Sequence, residues 1–249
     1  MHELSLLSDR RIKEYRALGE IVIEPFEDAN LGNCSYDVRL GKWYYLERHG
    51  DHLGLHNPFS KKSVETMWAG PYEAQPLKTY TEDESFFSEH IKERARQAGY
   101  LVSDNLLTQI VTSPFENIKK DERVMFLFPH QNMLGHTIEY IGGKSTTTTK
   151  MLSRSSMGRN NITVCRDAGK GDVGYIDRWT MEITNNNRQQ IVPLVVGSRI
   201  AQIEFYYVGE VDKNYAQVGH YLSSSELNAL QANWKPQNML PQLWRNKRR

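Results

Sequence analysis

Short runs of β-branched and aromatic residues separated by turn residues mark both ends of the chain. Ile21-Val22-Ile23, Tyr36 to Leu40 and Trp43 to Leu46 have the composition of strands. Ahead of them, Ser8-Asp9 before Arg10 to Leu18, with Gly19 after, supply the cap and stop of a short helix. The strand pattern returns with Val124 to Phe128 and continues through Thr180 to Thr184, Ile191 to Val196 and Arg199 to Tyr207. Turn clusters such as Asn185-Asn186-Asn187 separate these runs, so the C-terminal half predicts a β-barrel or jelly roll. Ser223 to Ala232 predicts a capped closing helix. Residues 50–120 differ: they are polar, lack alternation, and hold one amphipathic helix, Ser85 to Ala98, ended by Gly99. We expect an insertion here, resting on the barrel by one apolar stripe outside its core, so that Leu53 to Asn117 can be removed.

Composition narrows the function classes. The chain has 249 residues, enough for one large domain or two small ones. Its 31 Lys plus Arg face 30 Asp plus Glu, so no global field attracts nucleic acid and any polyanion must meet a local cluster. Cys34 and Cys165 lie far apart and form neither a disulfide framework nor a structural zinc spacing, which fits a reduced, cytoplasmic protein. Neither a secretory leader pattern nor an 18-residue apolar run is visible, so no membrane association is expected. The basic end, Arg245 to Arg249, is expected to be a solvated tail.

Several motifs fail. Gly142-Gly143-Lys144-Ser145 resembles the end of a phosphate-binding P-loop, but Ile138 stands where the earlier glycine belongs. Zinc nucleobase deaminases need His-x-Glu and Pro-Cys-x-x-Cys, and both are missing, as is the Gly-x-Ser-x-Gly elbow of serine hydrolases. What remains is Ser153-Arg154-Ser155-Ser156-Met157-Gly158-Arg159. Its two arginines, hydroxyls and glycine suit a polyphosphate, although a solvated turn has the same composition. Further on, Glu182 shares a strand face with Thr180 and Thr184, opposite Met181 and Ile183.

In order and spacing these segments resemble the dCTP deaminases of the trimeric dUTPase superfamily. The resemblance rests on Leu7 to Ile12, Ile23-Glu24-Pro25, Ser35 to Gly41, the Ser153 to Arg159 phosphate motif, and Asp172, Gly174-Tyr175 and Glu182. Gly197 to Gln202 and the lid-like Tyr215 to Gly219 complete it. It implies a mainly β fold: a distorted jelly-roll β-barrel of the dUTPase type, with an N-terminal helix and a partly helical insertion. One domain would span residues 1–249, with the insertion at about 50–120 and a lid and tail at about 211–249. It further implies a homotrimer with sites between subunits, acting on a deoxycytidine nucleotide, most simply dCTP to dUTP and ammonia.

In that family's terms Glu182 would be the general base, Arg159 would orient it or a phosphate, and Ser155 would bond phosphate or the water network. Arg154, Ser155 and Ser156 would hold the triphosphate with Mg²⁺ bridging its oxygens, and no zinc would be needed. Asp172 would meet the deoxyribose hydroxyl, Tyr175 the sugar or the core, and Gln202, Lys213 and Gln217 the rest of the nucleotide. Departures from the pattern are Ser153 for the first glycine, Gly169-Lys170-Gly171 ahead of Asp172, and Asp177 for a glycine five residues before the glutamate. Other readings stay open: a bifunctional deaminase and dUTPase, a pure dUTPase releasing dUMP and pyrophosphate, and a non-catalytic nucleotide-sensing jelly roll.

Overall fold

The computed structural model describes residues 5–48, 54–82, 84–97, 99, 103, 115–219, 221–222 and 226–245. Helix α1 (Asp9–Ala17) stops where Gly19 adopts a left-handed φ of 74°, a conformation glycine enters without steric cost. Strands β1 (Ile21–Glu24), β2 (Ser35–Arg39) and β3 (Trp43–Glu47) follow at the expected places. Next come α2 (Lys61–Met67), β4 (Trp68–Glu73), β5 (Gln75–Pro76), α3 (Leu77–Thr81) and α4 (Glu84–Gln97). The expected helix at Ser85 is α4, and Ala98 falls outside the described residues. The second half runs β6 (Arg123–Leu127), β7 (Asn132–Gly143), β8 (Thr147–Ser153), α5 (Ser155–Arg159), β9 (Ile162–Val164), β10 (Lys170–Gly171) and β11 (Asp177–Asn185). It closes with β12 (Val192–Val195), β13 (Arg199–Tyr207), α6 (Tyr215–Val218) and α7 (Leu227–Asn233). The closing helix thus begins at Leu227, and Ser223 to Ser225 lie outside the described residues.

The strands pair antiparallel in three sheets: β4-β3-β7-β11-β9 with β1 also on β7, then β10-β8-β13-β2, and β12-β6-β5. The mainly β expectation therefore holds as packed sheets, and among the described residues the hydrogen-bonded ladders do not close into one ring. The long strand β7 organises the first sheet, with β11, β1 and β3 all bonded along it. Its sequence hides it, because burial on both faces removes the alternation that marks a half-exposed strand. The glycines of the failed P-loop motif are explained here. A Cβ on Gly142 would collide with the Tyr175 carbonyl, and one on Gly143 with the Thr147 carbonyl, so both serve close backbone approach.

Residues 61–97 correct the expectation of a surface excursion. Strand β4 extends the first sheet beside β3, and β5 pairs with β6. Leu77, Tyr80, Ile91 and Ala95 bury against Val124, Phe126 and Phe128 as a second hydrophobic core. The apolar residues responsible are shared among short elements, too few in each for a period to show in sequence. At the other end of the chain Leu230 and Met239 cover Tyr140, Tyr45 and Leu134 of the first sheet. No helix among the described residues is long and apolar enough to cross a membrane.

Burying a large apolar side chain is worth about 1.5–3 kcal/mol, and this segment buries several. Replacing residues 53–117 by a short Gly/Ser linker is therefore expected to abolish cooperative thermal unfolding and cause aggregation. A soluble product with a melting transition within about 5 °C of the full chain, on the scale of ~1 kcal/mol, would show that the second core is dispensable.

Candidate functional site

Strand β11 sets the geometry. Met181 and Ile183 are fully buried, so the alternation of the strand turns Glu182 to the opposite, solvent-facing side, in register with Leu134 of β7. On its other edge the chain leaves β9 through Cys165, which adopts φ of 50° and donates its backbone N–H to the Glu182 carbonyl at 2.9 Å. Glu182 is exposed as a residue, yet protein packs densely around it. That desolvation raises its pKa above the ordinary carboxylate value, opposed by hydrogen bonding that includes the Cys165 thiol. Burial, followed by the Glu182 charge, pushes the Cys165 thiol up to about 12.

The Cys165 Sγ lies 3.2 Å from Met151 Sδ, which ties Glu182 to β8. Two residues beyond Met151, β8 ends at Ser153, Arg154 is extended, and α5 begins. Arg154 Nε sits 3.3 Å from Asp37 Oδ2, Arg199 Nη1 lies 3.5 Å from the same oxygen, and Arg154 also donates to the Arg199 carbonyl at 3.4 Å. Burial raises the pKa of Asp37 and the two arginines oppose it. Gln202 pairs with Asp37 across β13 and β2, so it shares this face. Ser155, Ser156 and Arg159 are exposed around the first turn of α5, whose leading N–H groups have no intrahelical acceptor.

The third group lies at the other end of β8. Lys170 and Gly171 pair with Lys150 and Thr149, and Asp172 follows, exposed and 3.1 Å from Lys170 Nζ. Tyr175 donates its backbone N–H to the Asp172 carbonyl at 2.9 Å, closing a turn. Its ring packs edge-on to Trp179 and Tyr215, with centroids 5.3 and 5.1 Å away, which makes it a core aromatic in this chain. Tyr215 docks its N–H on the Val173 carbonyl at 2.7 Å. Gln217 caps α6 by accepting from Asn214 N–H at 3.1 Å, and Lys213 is exposed. Strand β8 thus borders all three groups. Among the described residues no set of three His, Cys, Asp or Glu side chains is arranged to hold a metal.

Sequence reasoning singled out neither Asp37 nor Arg199 as site residues, although both lie in the segments that carry the resemblance. Cys165 gave no signal, because its contact with Glu182 depends on strand pairing.

The model of the family described as dCTP deaminase-like matches residues 6–71 and 81–208. The chain belongs to that family. Together with relatives named as dCTP deaminases, this membership indicates a hydrolytic deaminase. Among relatives, the "dCTP deaminase, dUMP-forming" of Nanoarchaeum equitans is 25% identical over 214 residues, covering 86% of this chain and 90% of the relative. The protein of the same name from Dictyoglomus thermophilum is 30% identical over 204 residues, covering 81% and 79%. The crystal structure of 2'-deoxycytidine 5'-triphosphate deaminase from Agrobacterium tumefaciens superimposes with a TM-score of 0.50 at 16% identity, over 83% of this chain. This chain spans about half, 49%, of that solved chain, and the likeness shows the fold.

One charge on β11 is unrelated to the family pattern. Asp177 is buried, accepts from Arg178 N–H at 2.8 Å, and is raised by burial to about 7 against 3.8. The folded chain therefore holds this proton between about pH 4 and 7, where the unfolded chain does not. Stability from Asp177 is full below about pH 4 and is lost as pH rises through about 7. His136, pushed down to about 4 by burial, tilts stability the other way over the same window. We expect Asp177→Asn, which keeps the acceptor and cannot ionise, to raise the melting temperature more at pH 8 than at pH 5, the difference in stability gain being up to about 3 kcal/mol. Thermal melts at both pH values check it, and a gain independent of pH would contradict it.

Proposed function

We propose that this chain converts dCTP to dUMP in two hydrolytic steps, with Glu182 as the base for the first. The observation that carries this reading is a carboxylate of raised pKa projecting from β11 beside the strand that leads into the Arg154–Arg159 motif. In the first step Glu182 takes a proton from the water attacking C4 and returns it to the departing ammonia, so dCTP and water give dUTP and ammonia. In the second, a water attacks the α-phosphorus and the α–β bridge breaks, giving dUMP and pyrophosphate. Asp172 takes the proton of that water. The sequence alone favoured release of dUTP, and the dUMP-forming names of the relatives support this longer course instead.

Arg154, Ser155 and Ser156 bind the triphosphate, Arg159 orients Glu182 or a phosphate, and Gln202 borders the same face. Lys213, just before α6, and Gln217 within it contact the rest of the nucleotide in this reading. The exposed serines and arginines suit phosphate oxygens better than a metal, so Mg²⁺ would enter with the nucleotide and would offset charge on its phosphates. Glu182 replaces a zinc-bound hydroxide as the activator of water. The same reading includes a homotrimer that completes each site between subunits, with Glu182, Asp172 and α5 exposed in the single chain. Cytoplasmic residence is the setting in which its nucleotide substrate is found.

Glu182→Gln is expected to lower ammonia release from dCTP by about 10²–10⁴-fold, with dCTP affinity changed less than about threefold. A loss below about tenfold would rule out general-base catalysis by this residue. Asp172→Asn is expected to keep releasing ammonia while dUTP accumulates and pyrophosphate release falls by about 10²-fold or more. Unchanged dUMP formation by that variant would remove Asp172 from the second step.

A further inference from the structure

The face that carries Glu182 continues along β11, and a chain of side-chain hydrogen bonds crosses it. Arg166 Nη2 donates to Thr184 Oγ1 at 3.2 Å, and Thr184 donates onward to Asn132 Oδ1 at 2.7 Å. Asn132 in turn donates to the Glu47 carboxylate. The chain runs from the segment after β9 across β11 and β7 to β3, and Thr184 within it is buried. Its effect is to hold one end of an otherwise exposed, flexible arginine in a defined place. That place is set by strand geometry: Thr184 lies two residues from Glu182 on the same face, ~7 Å along the strand.

A guanidinium carries five N–H donors and a permanent charge. Thr184 accepts from one of them, and among the described residues no carboxylate forms an ion pair with Arg166. The cation is therefore anchored but neither neutralised nor saturated. Arg154, by contrast, already has Asp37. Its anchor on Thr184 places Arg166 on the strand face that carries Glu182.

We propose that Arg166 is a substrate-contact residue, donating to the carbonyl and ring-nitrogen acceptors of a cytosine whose C4 faces Glu182. The assignment rests on the reading of Glu182 given above. It makes Arg166 the residue that recognises the nucleoside half, while Arg154 to Arg159 recognise the phosphates. Thr184 and Asn132 act behind it as positioning residues.

The test is equilibrium binding of dCTP, dCMP and inorganic tripolyphosphate to the full chain carrying Glu182→Gln, alone and combined with Arg166→Ala, Arg166→Lys or Thr184→Val. Loss of a hydrogen bond to a charged group is expected to weaken dCTP and dCMP by the same factor, about 10- to 100-fold in the alanine variant. Tripolyphosphate affinity and the melting temperature should stay unchanged. Lysine should restore only part of the loss, because a point charge lacks the planar fork, and Thr184→Val should cost less than alanine at Arg166. A weakening confined to dCTP and tripolyphosphate would overturn the proposal by placing the cation on the phosphates. So would unchanged nucleotide affinity, whether or not the melting temperature falls. If Glu182→Gln alone lowers ammonia release from dCTP by less than about tenfold, the general-base reading fails, and the affinities still report on Arg166.

Discussion

Alternation along β11 is the constraint on which the site depends. Met181 and Ile183 must be buried for the sheet to pack, and a strand with a period of two then has no choice but to present Thr180, Glu182 and Thr184 on the other side. A slip of one residue would bury the carboxylate and expose two core side chains. What holds the register is β7, bonded to β11 over most of its length and relieved of side chains at Gly142 and Gly143, where neighbouring backbone approaches too closely for a Cβ.

The charges follow the same economy of position. With 31 basic and 30 acidic side chains, the chain has no general field with which to capture a nucleotide, so its cations must be gathered locally. Asp37 gathers Arg154 and Arg199 at the end of β8. Nearby on β2, Arg39 reaches the fully buried Glu139 of β7, with Nε 2.6 Å from a carboxylate oxygen and its backbone N–H 2.9 Å from the other. A buried pair of this kind adds little net stability, and its geometry fixes the second sheet against the first, which keeps the phosphate motif aligned with Glu182.

Elements with a half-exposed face were legible in the sequence, and β13 and α4 are found within a residue or so of where the pattern put them. Strand β7 was not, because burial on both sides leaves no alternation and its glycines imitate a loop. The second core was misjudged for a related reason: Tyr80 and Ile91 become core residues only once β6 is laid beneath them. At the site, Glu182 and the arginine motif stood out through spacing. Cys165, Asp37 and Arg166 did not, since their partners lie on other strands and only pairing brings them together.

The most direct test of the account is a time course of dCTP hydrolysis with Mg²⁺ in ¹⁸O-labelled water, following ammonia, dUTP, dUMP and pyrophosphate together. The account predicts ammonia and dUMP rising in equal amounts with little free dUTP, one label in the base carbonyl and one in the phosphate products. Pyrophosphate released without ammonia, leaving the cytosine intact and unlabelled, would contradict it.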